Sequence, residues 1–286
     1  MTNIRADLFL KNTVSVLKRN GISHEEAVCE TYILLEYFAG ISKKDLIINP
    51  DTEIDNICHE KLKDAVIQRT EQKLPVQYIT GRAFFMDETF SVDKNVLIPR
   101  DETEILVRAA IKVCESIKNP VILDIGTGSG CISIILAKTL ISAKIIACDI
   151  CEKALESAEK NALNLEVKDK ITFLKSDLLE NIDTPLDVIV SNPPYIDIKE
   201  LEAMQDEVTF HEPHLALFAD ERGTMIYRKI IRQATQKLKP GGIILFELGF
   251  GQAEKIKELF AVNDFSVTEI IKDLAGIQRV IIAKKN

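Results

Sequence analysis

The chain has no run approaching the about 20 consecutive apolar residues that span a bilayer, so no membrane partner is expected. It has no excess of positive charge either. Its 36 Lys and Arg stand against 44 Asp and Glu, a formal net charge of −8. A nucleic-acid binder draws affinity from clustered cations that neutralise phosphates, so stable nucleic-acid binding is not expected. Met1-Thr2-Asn3-Ile4-Arg5-Ala6-Asp7 shows no basic stretch leading into an apolar one, and the expected location is the cytoplasm. There are no internal repeats and no low-complexity tract.

Cysteine is sparse: Cys29, Cys58, Cys114, Cys131, Cys148 and Cys151 among 286 residues. Five of them fall in predicted helices or strands with apolar neighbours, which reads as reduced core thiols. Cys148-Asp149-Ile150-Cys151 has redox spacing, but it straddles a predicted strand end. The acid between the two thiols raises a thiol pKa rather than lowering it. His211-Glu212-Pro213-His214 suggests no metal site, because Pro213 breaks the helix that would set both histidines on one face. No metal is expected.

The length suits two domains, and 46% of the residues are apolar. Residues 1–75 read as helical. Apolar residues recur at helical spacing over 7–19, and Gly21 follows as a stop. Ser23-His24-Glu25-Glu26 has the pattern of a capping box and opens a helix that ends at Gly40. A third helix is predicted over about 54–72, stopped by Pro75. The aromatics of 32–38 are expected in the core of this small domain. Residues 82–86 and 89–92 flank Asp87-Glu88 as a hairpin in a linker spanning 76–100. A helix is then predicted from near Thr103. Arg100 with Glu102 and Glu104 reads as a surface ion-pair cluster at its start.

From residue 120 apolar strands alternate with helices. Strands are predicted at 121–125, 144–148, 171–174, 186–190, 243–248, 266–270 and 279–283. Helices are predicted at 131–140, 152–163, 224–238 and 253–260. This pattern predicts an α/β fold over 101–286: a doubly wound, seven-stranded, Rossmann-like domain beside the helical one. No helix separates the last two strands, so the final strand should run antiparallel at or near an edge.

Asp124-Ile125-Gly126-Thr127-Gly128-Ser129-Gly130 lies between the first of these strands and its helix. Glycines there let backbone approach a ligand closely and free the helix N-terminus. Asp149 ends the next strand, where a carboxylate accepts from both hydroxyls of a ribose. After the third strand comes Ser176-Asp177-Leu178-Leu179, where a polar group can read an adenine edge while an apolar neighbour covers its face. The candidate cofactor residues on this reading are Gly126, Thr127, Gly128, Ser129, Gly130 and Asp149. A nicotinamide cofactor would also use a glycine turn and a ribose acid. The alternating glycines after an acid favour S-adenosylmethionine instead, with S-adenosylhomocysteine as product.

The fourth strand runs into Ser191-Asn192-Pro193-Pro194-Tyr195. Two prolines fix the backbone and remove two N–H donors. The corner offers an amide, free carbonyls and an aromatic ring together, which suits a planar –NH2 group. Asn192, Pro193, Pro194 and Tyr195 are therefore the candidate catalytic residues of an enzyme acting on an amide or amine nitrogen. Asn192 Oδ1 and the Pro193 carbonyl would take the two N–H bonds of the acceptor.

With these residues in view, the chain resembles the N5-glutamine methyltransferases that modify peptide chain release factors. The shared motifs begin with Pro75-Val76-Gln77-Tyr78-Ile79-Thr80-Gly81 and Leu97-Ile98-Pro99-Arg100-Asp101-Glu102-Thr103-Glu104. The glycine turn and the 191–195 corner follow, then Glu212-Pro213-His214-Leu215-Ala216-Leu217. The last are Glu247-Leu248-Gly249 with Gln252, and Asp273-Leu274-Ala275-Gly276 leading to Arg279-Val280. The chain departs from the family pattern at Asp101 and at Phe85-Met86. The resemblance implies methyl transfer to the glutamine of a Gly-Gly-Gln motif in class 1 release factors, docked by the helical domain. It also implies that Asp177, Leu178 and Asn192 line the cofactor with the glycine turn and Asp149, and that the segment after Arg100 borders it. Two related activities are alternatives: a glutamine methyltransferase acting on a ribosomal protein, and an N6-adenine DNA methyltransferase. The acidic charge and the lack of a target-recognition region weigh against DNA. A non-catalytic cofactor-binding scaffold is a further alternative, and the intact corner weighs against it.

Overall fold

The computed structural model describes residues 4–203 and 206–286, which divide into two units. The smaller comprises residues 4–81 with the segment Asp206–His211, and the larger comprises 82–203 with 212–286.

The small unit is built on helices Ala6–Arg19, His24–Ala39 and Asn56–Glu71. Phe9, Leu34, Leu35, Leu62, Ala65 and Val76 form its core. Ser23 caps the second helix by accepting from the Glu26 N–H at 3.2 Å, but the Glu26 side chain does not return the bond. Glu26 instead lies 4.0 Å from Arg69, so only half of the expected capping box forms. A complete box stands at Ser42 and Asp45, where each side chain accepts from the other's backbone N–H. It opens the short helix Lys43–Ile48, which the sequence reading missed. Asp55 caps the third helix by accepting from the N–H groups of Ile57 and Cys58. Ile54 pairs with Ile4 in a two-residue ladder rather than starting that helix. Tyr32 and Phe38 lie against the core, whereas Tyr37 is exposed.

Arg69 is buried with Glu30, its Nε 2.9 Å from both carboxylate oxygens. Its Nη1 reaches Glu207 at 2.7 Å. His211 hydrogen-bonds the Gln72 carbonyl at 2.7 Å. These contacts hold the 206–211 segment to the helical unit.

The larger unit carries a seven-stranded sheet. Its strands are β1 (Val121–Ile125), β2 (Lys144–Asp149), β3 (Ile171–Lys175), β4 (Leu186–Ser191), β5 (Leu238–Glu247), β6 (Phe265–Lys272) and β7 (Gln278–Lys285), in the order β6-β7-β5-β4-β1-β2-β3. The doubly wound sheet expected from the alternation of strands and helices is present. The final strand is antiparallel to both neighbours and lies next to the edge, which β6 occupies. Helices α1 (Asp101–Cys114) and α2 (Cys131–Thr139) cover one face through Leu106, Val107, Ile132 and Leu136. Helices α4 (Met225–Lys237) and α5 (Ala253–Ala261) cover the other through Tyr227, Ile230, Ile231, Ile256 and Phe260. Between them in sequence, α3 (Glu152–Asn164) follows β2.

The hairpin forms from Arg82–Phe85 and Glu88–Ser91, and Met86 and Asp87 turn it at φ 47° and 65°. Phe85 and Phe90 join the core beneath α1, so the hairpin is part of the larger unit. Asn161 of α3 holds its far strand by accepting from the Ser91 N–H and donating to the Ser91 carbonyl.

Candidate active site

Strand register sets where the site lies. Ile125 of β1 pairs with Cys148 of β2 and Ser191 of β4, and Ser191 pairs with Phe246 of β5. The carboxyl ends of the four strands are therefore level, and the order turns at β1. Open α/β sheets bind ligands at such a switch point.

A cavity opens there. It is lined by Gly126 and Gly128 of the first turn, Asp149 at the end of β2, Asp177 and Leu178 after β3, and Asn192, Pro193 and Pro194 after β4. Gly126 sits at φ 70°, and a Cβ built on it would meet nothing within 4 Å. The backbone thus borders open space at the turn. Both Asp149 oxygens are held: Oδ2 accepts from the Gly128 N–H at 3.0 Å and Oδ1 from the Cys151 N–H at 2.9 Å. A carboxylate has about four acceptor sites, so lone pairs remain for a diol. Burial raises the Asp149 pKa from its ordinary value. Leu178 is at φ 52°, and its carbonyl accepts from the Cys148 thiol. Asp149, with acceptor capacity to spare, and the polar–apolar pair Asp177 and Leu178 thus line one and the same cavity.

Thr127, Ser129 and Gly130 lie outside the cavity lining among the described residues. They build the turn from behind. Thr127 Oγ1 donates to Asp124 Oδ2 at 2.7 Å. The Ser129 carbonyl accepts from Asn161 Nδ2, so one buried asparagine ties the glycine turn to the hairpin. Gly130 stands at φ 82°, with Ile134 and Ala158 within 3.2 Å of any Cβ there. Asp124 is fully buried, and burial pushes its pKa up to about 7.

At the corner, Pro193 is buried and Asn192 is half-buried. Tyr195 packs against the core under α4 rather than lining the cavity, and burial raises its pKa. Its carbonyl accepts from Gln252 Nε2 at 2.8 Å. A Cβ on Gly223 would stand 1.9 Å from that oxygen, so only glycine fits behind the corner. Asn192 Nδ2 donates to Thr103 Oγ1 at 3.2 Å, and Thr103 Oγ1 donates to Glu247 Oε2 at 2.6 Å.

The expected ion-pair cluster around Arg100 does not form. Arg100 binds buried Glu212, Glu102 binds Arg279 at 3.2 Å, and Glu104 accepts from the Met86 N–H and from Arg108. Arg100 and Glu102 thus find partners set by the fold, whereas Glu104 adds the hairpin N–H of Met86 to its i,i+4 neighbour Arg108. Cys114, Cys131 and Cys148 are buried thiols, but Cys29 is exposed, contrary to expectation. Burial contributes most to the raised Cys148 pKa, with Asp124 and Asp149 adding to it. Among the described residues, no group of three His, Cys, Asp or Glu is disposed to hold a metal ion.

Thr103, Glu247 and Gln252 stand within the shared motifs, but sequence alone assigns them no role. Asn161 had no signal beyond being an asparagine in an amphipathic helix.

Residues 101–216 match the methyltransferase small domain family, and residues 9–81 match the PrmC N-terminal domain. A protein of Flavobacterium psychrophilum named release factor glutamine methyltransferase is 42% identical over 256 residues, which cover 87% of this chain and 89% of that one. One of Fusobacterium nucleatum with the same name is 36% identical over 98% of this chain and 78% of that one. The solved hMettl16 catalytic domain in complex with the MAT2A 3′UTR hairpin 6 shares the fold at TM-score 0.53 and 18% identity, covering 80% of this chain and 81% of that one. A methyltransferase of Pyrococcus furiosus does so at TM-score 0.51 and 18% identity, covering 80% and 98%. With relatives this similar along both units, the chain belongs to the release factor glutamine methyltransferase family.

Proposed function

We propose that this protein transfers a methyl group from S-adenosylmethionine to the side-chain amide nitrogen of the glutamine in the Gly-Gly-Gln motif of class 1 release factors. The observation that carries this reading is one shared cavity. Its walls include both the glycine turn with Asp149 and the corner residues Asn192 and Pro193. The cofactor would lie along Gly126, Gly128, Asp149, Asp177 and Leu178. When bound, it supplies a sulfonium-linked methyl group, whose thioether leaves without acid assistance.

The chain's own task is to prepare the nitrogen. An amide nitrogen is a poor nucleophile because its lone pair is delocalised. Asn192 Oδ1 and the Pro193 carbonyl accept its two N–H bonds, orient the pair and stabilise positive charge growing on it. Pro194 keeps the corner stiff. Nitrogen can form the new N–C bond before it loses a proton, so no side chain has to act as base. Gly126, Gly128 and the Asp149 backbone bonds hold the cofactor side of the cavity in place.

The helical unit would dock the release factor. It exposes Ile47, Ile48 and Ile57, apolar surface suited to a protein partner. Among the described residues, no helix is long and apolar enough to cross a membrane. The direct experiment incubates the enzyme with labelled cofactor and a purified release factor. Mass spectrometry of the Gly-Gly-Gln peptide should then find one added methyl on glutamine. A methylated ribosomal protein with an unmodified release factor would overturn the substrate.

A further inference from the structure

The two ends of the Asn192 amide differ, and catalysis in the reading above needs the oxygen end free. What fixes that choice is a count of hydrogens. Thr103 has one hydroxyl hydrogen and two lone pairs. Its Oγ1 lies 2.6 Å from Glu247 Oε2 and 3.2 Å from Asn192 Nδ2. An ionised carboxylate only accepts, so the hydroxyl hydrogen goes to Glu247. The hydroxyl oxygen must then accept from Asn192. The amide can satisfy it only with its –NH2 end, which leaves Oδ1 for another donor.

We propose that Thr103 and Glu247 are positioning residues that hold the Asn192 amide in the one orientation able to accept from a substrate –NH2 group. This inference rests on the glutamine-methylating reading and adds the origin of its geometry. The relay joins three distant parts of the chain: the first turn of α1, the end of β5 and the corner after β4.

Glu247 is buried, and its own backbone carbonyl accepts from Tyr227 at 2.7 Å. The charged and titratable groups around its carboxyl are Glu102, Arg279, Arg100, Tyr195, Tyr227 and Cys131. Burial outweighs the two arginines and pushes its pKa up to about 7. Once protonated, Glu247 can itself donate to Thr103. The threonine hydrogen is then free to turn toward Asn192, and the amide can reverse. A reversed amide would face the substrate –NH2 donor to donor. Loss of activity on acidification follows, with the onset near the Glu247 pKa. The reacting amide nitrogen and the sulfonium do not titrate in this range.

The test compares wild type with Thr103→Val, Thr103→Ser and Glu247→Gln. Readouts are kcat and KM at saturating cofactor and release factor from pH 6 to 8.5, and cofactor affinity by calorimetry. Thr103→Val should lose roughly tenfold to hundredfold in kcat, as expected when a reacting group is misplaced, with cofactor affinity kept. Thr103→Ser restores the hydroxyl and should recover most of the loss, which separates the relay from a packing defect. Glu247→Gln should flatten the acid limb of kcat. Wild-type kcat in Thr103→Val, equal losses in the Val and Ser variants, or an acid limb unchanged in Glu247→Gln would each overturn the proposal. A wild-type enzyme that methylates no Gly-Gly-Gln glutamine would instead overturn the reading beneath it.

Discussion

The Thr103 hydroxyl donates to Glu247 Oε2 at 2.6 Å across 144 residues of sequence. This bond joins the start of the helix after the linker to the end of the strand beside the corner. The Asn192 amide hangs from it through its Nδ2, which donates to Thr103 Oγ1. The chemical reading of the site therefore depends on which atoms the fold brings together as well as on the corner itself.

Asp149 should not tolerate its closest neutral isostere. Both of its oxygens accept backbone N–H bonds, from Gly128 and Cys151. In Asp149→Asn, one N–H would face an –NH2 group. Leaving a buried donor unpaired costs about 1–3 kcal/mol. Calorimetry should find cofactor affinity down by about tenfold or more. Burial raises the pKa of this carboxyl. Wild-type affinity should therefore weaken as pH falls through that raised pKa, because the protonated form gives up acceptor capacity, and the Asn variant should not show this trend.

Gly223 supports the corner from outside the cavity. Its φ is +75°, and an added Cβ would strike the Tyr195 carbonyl at 1.9 Å and Gln252 Nε2 at 2.6 Å. Gly223→Ala should cost about 1–3 kcal/mol in stability from the strained backbone alone. It should also lower kcat more than cofactor affinity. Thermal melting and steady-state kinetics together check this. A fully active Gly223→Ala enzyme would show that the Tyr195 backbone can move without consequence.

Arg69 and Glu30 form a buried pair in the helical unit. Removing one partner leaves the other charge buried, a loss of about 3–5 kcal/mol. Glu30 already has a raised pKa because burial outweighs Arg69. In Arg69→Ala that restraint is gone and the carboxyl rises further. A raised folded-state pKa gives stability that is present at acid pH and lost as pH climbs through it. Denaturant unfolding should therefore show a modest deficit near pH 5 and the full deficit at pH 8.

Much of this site was legible in the sequence because its signals are contiguous. The glycine turn, Asp149 about 20 residues on, and the Asn192–Pro193–Pro194 run each declare a local backbone need. The alternation of apolar strands and helices likewise gave the sheet. Strand β5 starts at Leu238, ahead of the expected 243, because Pro240-Gly241-Gly242 reads as a break. The register shift between Leu186 and Val188 in the neighbouring strand lets the ladder continue past it. Partners separated by a hundred residues leave no such pattern. Arg100 sits beside Glu102 and Glu104 in sequence, yet it binds Glu212. Asn161 reaches both Ser91 and Ser129. Ser23 followed by Glu26 has the pattern of a full capping box, but Glu26 lies toward Arg69 instead.

The most direct measurement is single-turnover methylation of a purified release factor by wild type and by Asn192→Ala, at saturating cofactor, read as methylglutamine in the Gly-Gly-Gln peptide. Wild type should modify that glutamine. Asn192→Ala should be slower by roughly a hundredfold or more, as when a preorganised partner of the developing charge is removed, while still binding cofactor. Methylation of the same glutamine at an undiminished rate by Asn192→Ala would contradict the account.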